Sequence, residues 1–200
     1  MSVHLLCVDL QNEFASPGGR LHHPRPCVPF LMDVVFPTAR HRGWSIHEIR
    51  ADYRDPAKTQ EKWTCAPGSW ASTSLVPPDL LTTQPWFKAT PSPAWIRDGA
   101  GDPDTPPGQA RPAPKAFTKW LRTAVGPPQQ EVTIVVVGLM LEVCVISAVQ
   151  ELFYRAYRPH VLLEGVDTFA GTPQQKQQLA DGLFPYWATP LTWDELRSAR

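Results

Sequence analysis

The sequence has no apolar run long enough to cross a membrane. Its strongest apolar run, Val132–Val137, is far shorter than the ~20 residues that a transmembrane helix needs. It also has no excess of charge, because 19 basic and 19 acidic residues cancel and no basic cluster stands out. Nucleic acid and membrane are therefore not expected as partners. No charged leader with a small-residue cleavage site precedes the first apolar stretch, so we expect a cytoplasmic protein.

Cysteine is scarce, and no glycine-rich nucleotide fingerprint is present. The first strand is not followed by G-x-G-x-x-G, which argues against a dinucleotide site. Proline, by contrast, is abundant at 23 of 200 residues and predicts long, rigid connections. The four cysteines lack paired or metal-ligand spacing, so we interpret them as reduced thiols: Cys7, Cys27, Cys65 and Cys144.

Apolar periodicity predicts alternating strands and helices, and hence an α/β fold with a mostly parallel sheet. Proline at position 37 is expected to kink or shorten one of the helices. The predicted strands are Val3–Leu10, Trp44–Ile49, Trp86–Lys88, Val132–Val137 and His160–Glu164. The predicted helices are 28–42, Phe117–Val125, one from about Val143, 173–183 capped by Thr172, and a short one from the capping box at Thr192.

Residues 97–114 are poor in apolar side chains and rich in proline and glycine. This composition predicts a loop insertion and not a domain boundary, so residues 1–200 are expected to form one domain. Two roles stay open for the insertion. It either covers a ligand pocket or reaches a neighbouring subunit, or it is a passive loop.

Cys144 lies where the apolar strand has ended and a helix begins. Gly138 breaks the strand, and apolar residues recur at helical spacing from about Val143. A helix N-terminus directs backbone N–H groups and positive potential at the sulfur, which predicts a lowered thiol pKa. The alternative is a cysteine that packs in the core as a small apolar residue.

Asp9 and Cys144 both follow strands, and Lys88 ends a third. The carboxyl ends of parallel strands face one crevice, where these groups would form a set for nucleophilic amide chemistry. The lysine favours a thiolate, and the carboxylate accepts the thiol proton. Taken singly, an aspartate after a strand is often a turn residue and a lysine is usually a surface charge.

These segments resemble the isochorismatase-like cysteine hydrolases, a family that includes nicotinamidases. The resemblance is carried by VDLQNEF (8–14), WFKATPSPAW (86–95) and VVVGLMLEVCV (135–145). It implies a three-layer α/β/α sandwich around a roughly six-stranded parallel sheet, usually in a homodimer or higher homo-oligomer. It also implies a catalytic triad of Asp9, Lys88 and Cys144, with Lys115 as a competing candidate for the lysine.

The resemblance further implies a non-proline cis peptide at Leu139–Met140. The backbone N–H groups of Met140 and Cys144 would then form the oxyanion hole. Aromatic and amide side chains near the motifs are candidates to bind substrate, although buried aromatic residues are more often plain core: Gln11, Phe14, Trp63 and Trp86.

Two departures from the family pattern matter. Leu141 stands where a threonine is frequent, so a hydroxyl beside the site is missing. Asp52-Tyr53-Arg54 replaces the D-x-H of the nicotinamidase metal site, and no histidine occurs between His47 and His160. We therefore expect neither a metal nor any other cofactor. Arg54 would recognise a substrate carboxylate or form an ordinary surface ion pair with Asp52 or Asp55.

The sequence thus predicts a metal-independent hydrolase of an amide or carbamoyl C–N bond in a small-molecule substrate. Cys144 would attack the carbonyl, and water would release the acid from a thioester. Two alternatives stay open: a non-catalytic descendant that binds a small molecule or a protein, and a vinyl-ether hydrolase of the isochorismatase type.

Overall fold

In the computed structural model, which describes residues 2–128 and 132–198, a six-stranded sheet runs through the molecule. All of its neighbouring strands pair in parallel, in the order β3-β2-β1-β6-β7-β8. Its strands are β1 (Ser2–Val8), β2 (Ser45–Ala51), β3 (Trp86–Lys88), β6 (Val132–Leu139), β7 (Pro159–Asp167) and β8 (Thr189–Leu191). A separate antiparallel pair joins β4 (Trp95–Ile96) to β5 (Arg111–Pro112).

Helices pack on both faces of the sheet. They are α1 (Asn12–Ala15), α2 (Cys27–Phe30), α3 (Phe36–Arg42), α4 (Pro114–Ala124), α5 (Ile146–Phe153), α6 (Pro173–Trp187) and α7 (Trp193–Ser198). Among the described residues, no helix combines the length and apolar character that crossing a bilayer would require.

The two faces of the sheet form separate apolar cores. Successive side chains of a strand point to opposite faces, so Ile134 and Val136 of β6 enter the core under α4, α5 and α6. Val135 and Val137 enter the other core, under α2, α3 and α7. Burial on both faces explains why β6 reads as a continuous apolar run. The expected three-layer α/β/α sandwich is confirmed.

The helix predicted at 28–42 is not ended by its proline. α2 continues through a π-helical turn, Leu31–Val35, into α3, which runs past Pro37 to Arg42. In that turn the N–H of Phe36 bonds to the carbonyl of Leu31, five residues earlier. A proline lacks an N–H and crowds a preceding carbonyl. The wider turn directly before Pro37 accommodates both effects.

Two elements near the C-terminus differ from expectation. The edge strand β8 was not predicted, because Pro190 at its centre argues against a strand unless the strand lies at an edge. α6 extends to Trp187, beyond the expected end at 183, and contains Pro185. The capping box was predicted correctly, since the backbone N–H of Thr192 donates to Glu195 Oε2 at 2.8 Å.

Candidate active site

Asp9 directly follows β1 and adopts a left-handed conformation, with φ of 52°. That conformation ends the strand earlier than the predicted Leu10, and the N–H of Asp9 bonds to the carbonyl of Ile49 on β2. The side chain is 1% exposed. Its Oδ2 is paired with the ammonium of Lys88, whereas Oδ1 accepts no hydrogen bond from the described part of the chain. Oδ1 therefore keeps its lone pairs free to take a proton.

Lys88 ends β3 and is 0% exposed. Its Nζ lies 2.8 Å from Asp9 Oδ2, an ion-pair distance, and 3.4 Å from Cys144 Sγ. Burial lowers the pKa of the ammonium, but its interactions with Asp9 and Cys144 outweigh burial and raise that pKa overall. Lys88 is thus a fixed cation between an acid and a thiol.

Cys144 lies in a π-helical turn, Leu141–Val145, between β6 and α5. The thiol is 4% exposed, the highest value among the four cysteines. Burial, with the nearby Asp9 carboxylate, raises the thiol pKa to about 12, against the opposing effect of Lys88. The expected lowering of this pKa is therefore wrong, because loss of solvent outweighs the cation. The resting side chain is a neutral thiol that needs a base at the moment of attack.

Tyr53 joins the same cluster and was not predicted as a site residue. Its hydroxyl lies 3.3 Å from Cys144 Sγ and also contacts Lys88 Nζ. The ring is partly exposed, whereas the hydroxyl is surrounded by buried groups. In the sequence, Asp52 and Arg54 on either side of it carry predictions, whereas no local pattern marks Tyr53 itself.

The peptide bond between Leu139 and Met140 is cis, as the resemblance implied. The residue before this peptide bond must be a glycine, because there is no room for a side chain. Gly138 has a φ of 122°, and a Cβ there would lie 2.1 Å from the carbonyl oxygen of Val8. The assignment of the Met140 and Cys144 N–H groups to an oxyanion hole stays a prediction.

Two of the predicted substrate-binding residues have other partners. Both ends of the Gln11 amide are bonded to backbone: its Oε1 accepts from the N–H of Ala51 at 2.8 Å, and its Nε2 donates to Ala51 and Ser72 carbonyls. Phe14 is buried in the core beneath α2 and α3. Both side chains thus position the segment after Asp9 and are not open to a ligand.

The two predicted tryptophans are only partly buried. Trp63 donates from its indole N–H to the carbonyl of Asp55 at 2.8 Å. Trp86 packs against Phe117 and Trp120 of α4 and donates to the carbonyl of Pro93. Trp86 therefore belongs to the aromatic packing between β3 and α4.

Lys115 does not compete with Lys88 for the site. It lies exposed in the first turn of α4 and lines a surface groove of about 740 Å³ between α4 and the end of α5. Of the two lysines, Lys88 is the one in contact with both Asp9 and Cys144.

The insertion is anchored beside the site by a buried ion pair. Arg54 donates to Asp52 Oδ1 at 2.9 Å and to Oδ2 at 2.8 Å, and both side chains are buried. Arg54 also donates to the carbonyls of Gly99 and Thr105, while the N–H of Gly101 donates to Asp52 Oδ2. The expected ion pair with Asp52 is present, but it is buried and not at the surface. The insertion is therefore docked onto the end of β2.

No family model matches the sequence, and no relative is found among curated proteins. Solved structures do match. An isochorismatase family protein from Desulfovibrio vulgaris subsp. vulgaris str. Hildenborough is 16% identical, with a TM-score of 0.68 over 98% of this chain and 96% of that chain. An N-carbamoylsarcosine amidase from Thermoplasma acidophilum is 20% identical, with a TM-score of 0.61 over 98% of each chain.

The chain has the isochorismatase-like hydrolase fold. A pyrazinamidase of Pyrococcus horikoshii, solved in complex with zinc, also shares it, with 16% identity and a TM-score of 0.65 over 96% of this chain and all of that one. In this isochorismatase-like fold, β1, β3 and the turn after β6 bring Asp9, Lys88 and Cys144 together at the carboxyl edge of the sheet.

Proposed function

We propose that this protein hydrolyses an amide or carbamoyl C–N bond of a small molecule through a thioester on Cys144. The observation that carries the proposal is the contact of Lys88 Nζ with both Asp9 and Cys144, at 2.8 and 3.4 Å. A buried acid, cation and thiol in mutual contact are costly to maintain, and nucleophilic catalysis uses all three. Of the three solved structures compared above, two are amidases by name.

In the first half-reaction, Asp9 takes the proton from Cys144 as the sulfur attacks the carbonyl carbon. The resulting oxyanion is stabilised by the N–H groups of Met140 and Cys144. Protonated Asp9 then gives its proton to the leaving nitrogen, the C–N bond breaks, and the amine departs. The charge of Lys88 stabilises the thiolate during attack and the Asp9 carboxylate in the resting state.

In the second half-reaction, a water molecule attacks the thioester carbon. Asp9 accepts a proton from that water, a second tetrahedral intermediate forms, and the C–S bond breaks. The carboxylic acid leaves, and the proton on Asp9 returns to the sulfur of Cys144. Asp9 thus acts alternately as base and acid, which fits a carboxylate whose Oδ1 has no hydrogen-bond partner among residues 2–128 and 132–198.

Two other functions are less well supported. Vinyl-ether hydrolysis needs a carboxylate but no thiol, so it leaves the contact between Lys88 and Cys144 without a purpose. A non-catalytic descendant that binds a ligand has no need to keep Asp9 and Lys88 buried as an ion pair.

Thiol labelling tests the proposal before any substrate has been identified. We expect one equivalent of iodoacetamide to modify Cys144 first, because it is the most exposed of the four cysteines and lies 3.4 Å from the Lys88 ammonium, whereas burial raises the pKa of Cys65. Peptide mapping by mass spectrometry identifies the site. Small amides are then screened for protection against labelling and for release of ammonia or amine. First modification at Cys65, or no protection by any amide or carbamoyl compound that is hydrolysed, would contradict the proposal.

We also propose that the reaction needs no metal. Arg54 cannot ligate a cation, and it occupies both carboxylate oxygens of Asp52. Within the described residues, no three His, Cys, Asp or Glu side chains are grouped as metal ligands would be. Activity should therefore be unchanged after exhaustive chelation, and elemental analysis should find no stoichiometric zinc, iron or manganese. Loss of activity that a single added metal restores would overturn this prediction.

A further inference from the structure

We propose that Tyr53 is a further catalytic residue, whose hydroxyl donates a hydrogen bond to the sulfur of Cys144 while it accepts one from Lys88. The proposal rests on the thioester mechanism above and adds to it a group that stabilises the thiolate of Cys144 by a hydrogen bond. Tyr53 touches the reacting atom itself, at 3.3 Å between its hydroxyl oxygen and Cys144 Sγ.

The direction of these hydrogen bonds follows from donor chemistry. The ammonium of Lys88 has only hydrogens to offer, so in its contact with the phenol oxygen it must donate. The phenol's own hydrogen is then free to point to the sulfur.

Tyr53 is a donor and not a base at neutral pH. Burial, together with the negative charge of Asp9 and the charge that Cys144 carries once it is a thiolate, raises the pKa of its phenol well above the ordinary value. The phenol therefore keeps its proton while the thiol loses one. Tyr53 and Lys88 lower the pKa of the Cys144 thiol and so favour the thiolate, whereas burial and the Asp9 carboxylate raise that pKa.

The backbone holds Tyr53 rigidly in this position. Its N–H donates to the carbonyl of Thr64 at 3.0 Å, and the N–H of Asp52 donates to the carbonyl of Lys88 at 2.9 Å. On the other side, Arg54 is fixed by its buried ion pair with Asp52. The main chain that carries the Tyr53 ring is thus held in place, and the hydrogen bond from its hydroxyl strengthens as the sulfur becomes charged.

The variant Tyr53→Phe keeps the ring and removes only the hydroxyl. Loss of the hydrogen bond should raise the thiol pKa further, so the thiolate fraction should fall at every pH below about 12. We expect iodoacetamide alkylation of Cys144, followed across the pH range in which the protein stays folded, to slow by about 10- to 100-fold, and kcat on any amide substrate to fall by a similar factor. The matched control is Tyr157→Phe, which also removes a buried hydroxyl, one that donates to the carbonyl of Gly126 in the core beside α4. The control should leave the alkylation profile unchanged.

A second measurement covers the case in which Tyr53→Phe does not fold. Incorporation of 3-fluorotyrosine at position 53 keeps the hydroxyl and makes it a stronger donor, so the apparent pKa of Cys144 should fall. A Cys144 alkylation profile that neither substitution moves would overturn the inference and leave Tyr53 as packing. Because alkylation requires no substrate, this outcome is distinct from failure of the proposed function, in which the profile shifts as expected but no amide or carbamoyl compound is hydrolysed.

Discussion

Cys144→Ala should lose amide hydrolysis by at least ~10⁴-fold in kcat/KM while the protein remains folded. No thioester can form without the sulfur, and neither Asp9 nor Lys88 can replace it as a nucleophile. The structural cost should be small, about 1 kcal/mol, because only one buried atom is removed. Asp9→Asn should cause nearly the same loss, since an amide cannot take the thiol proton or return it to the leaving group.

Kinetics on a substrate found by the labelling screen measure these losses, and circular dichroism confirms the fold. The matched control is Cys7→Ala, which removes a fully buried thiol of β1 that packs in the core beneath α2 and α3. It should keep wild-type activity. Wild-type turnover by Cys144→Ala would disprove the thioester mechanism, and turnover by Cys144→Ala but not by Asp9→Asn would favour vinyl-ether-type chemistry.

Lys88→Met should destabilise the protein by about 3–5 kcal/mol at neutral pH, because it leaves the Asp9 carboxylate buried without a counter-ion. The double variant Asp9→Asn/Lys88→Met removes both charges and should recover most of that loss. Equilibrium unfolding in urea at neutral pH measures both effects.

Lys115→Met is the control for this series. The exposed Lys115 side chain should change stability by no more than about 0.5 kcal/mol and leave activity intact. If Lys88→Met lowers the free energy of unfolding by no more than Lys115→Met does, Asp9 and Lys88 do not form a buried ion pair. An active Lys88→Met together with an inactive Lys115→Met would reverse the assignment of the lysine.

The position of one strand in the sheet follows from a feature that the sequence shows. β6 is apolar on both faces, and its residues alternate between two cores, so its central place was readable from Val132–Val137 alone. β8 was missed because it is short, lies at an edge and contains Pro190, a combination that local propensity scores as a turn.

The positions of the site residues could be predicted from the ends of the strands. The properties that burial gives to those residues could not. Asp9, Lys88 and Cys144 follow strands, and parallel topology brings such positions together. The pKa shift of the Cys144 thiol was predicted in the wrong direction. Loss of solvent around the thiol decides the direction of that shift, and no local sequence pattern shows how deeply a residue is buried. Tyr53 was missed since its hydroxyl meets partners that are 35 and 91 residues away in the chain.

The position of Lys88 also determines where the molecule can fail first. β3 has three residues and forms one edge of the main sheet, and short edge strands open more readily than central ones. The nucleophile and the carboxylate, by contrast, follow the two central strands β6 and β1. Local opening of β3 would move the Lys88 ammonium away from Asp9 and Cys144 while the rest of the protein stays folded. We therefore expect local opening at β3 to inactivate the centre before either apolar core unfolds.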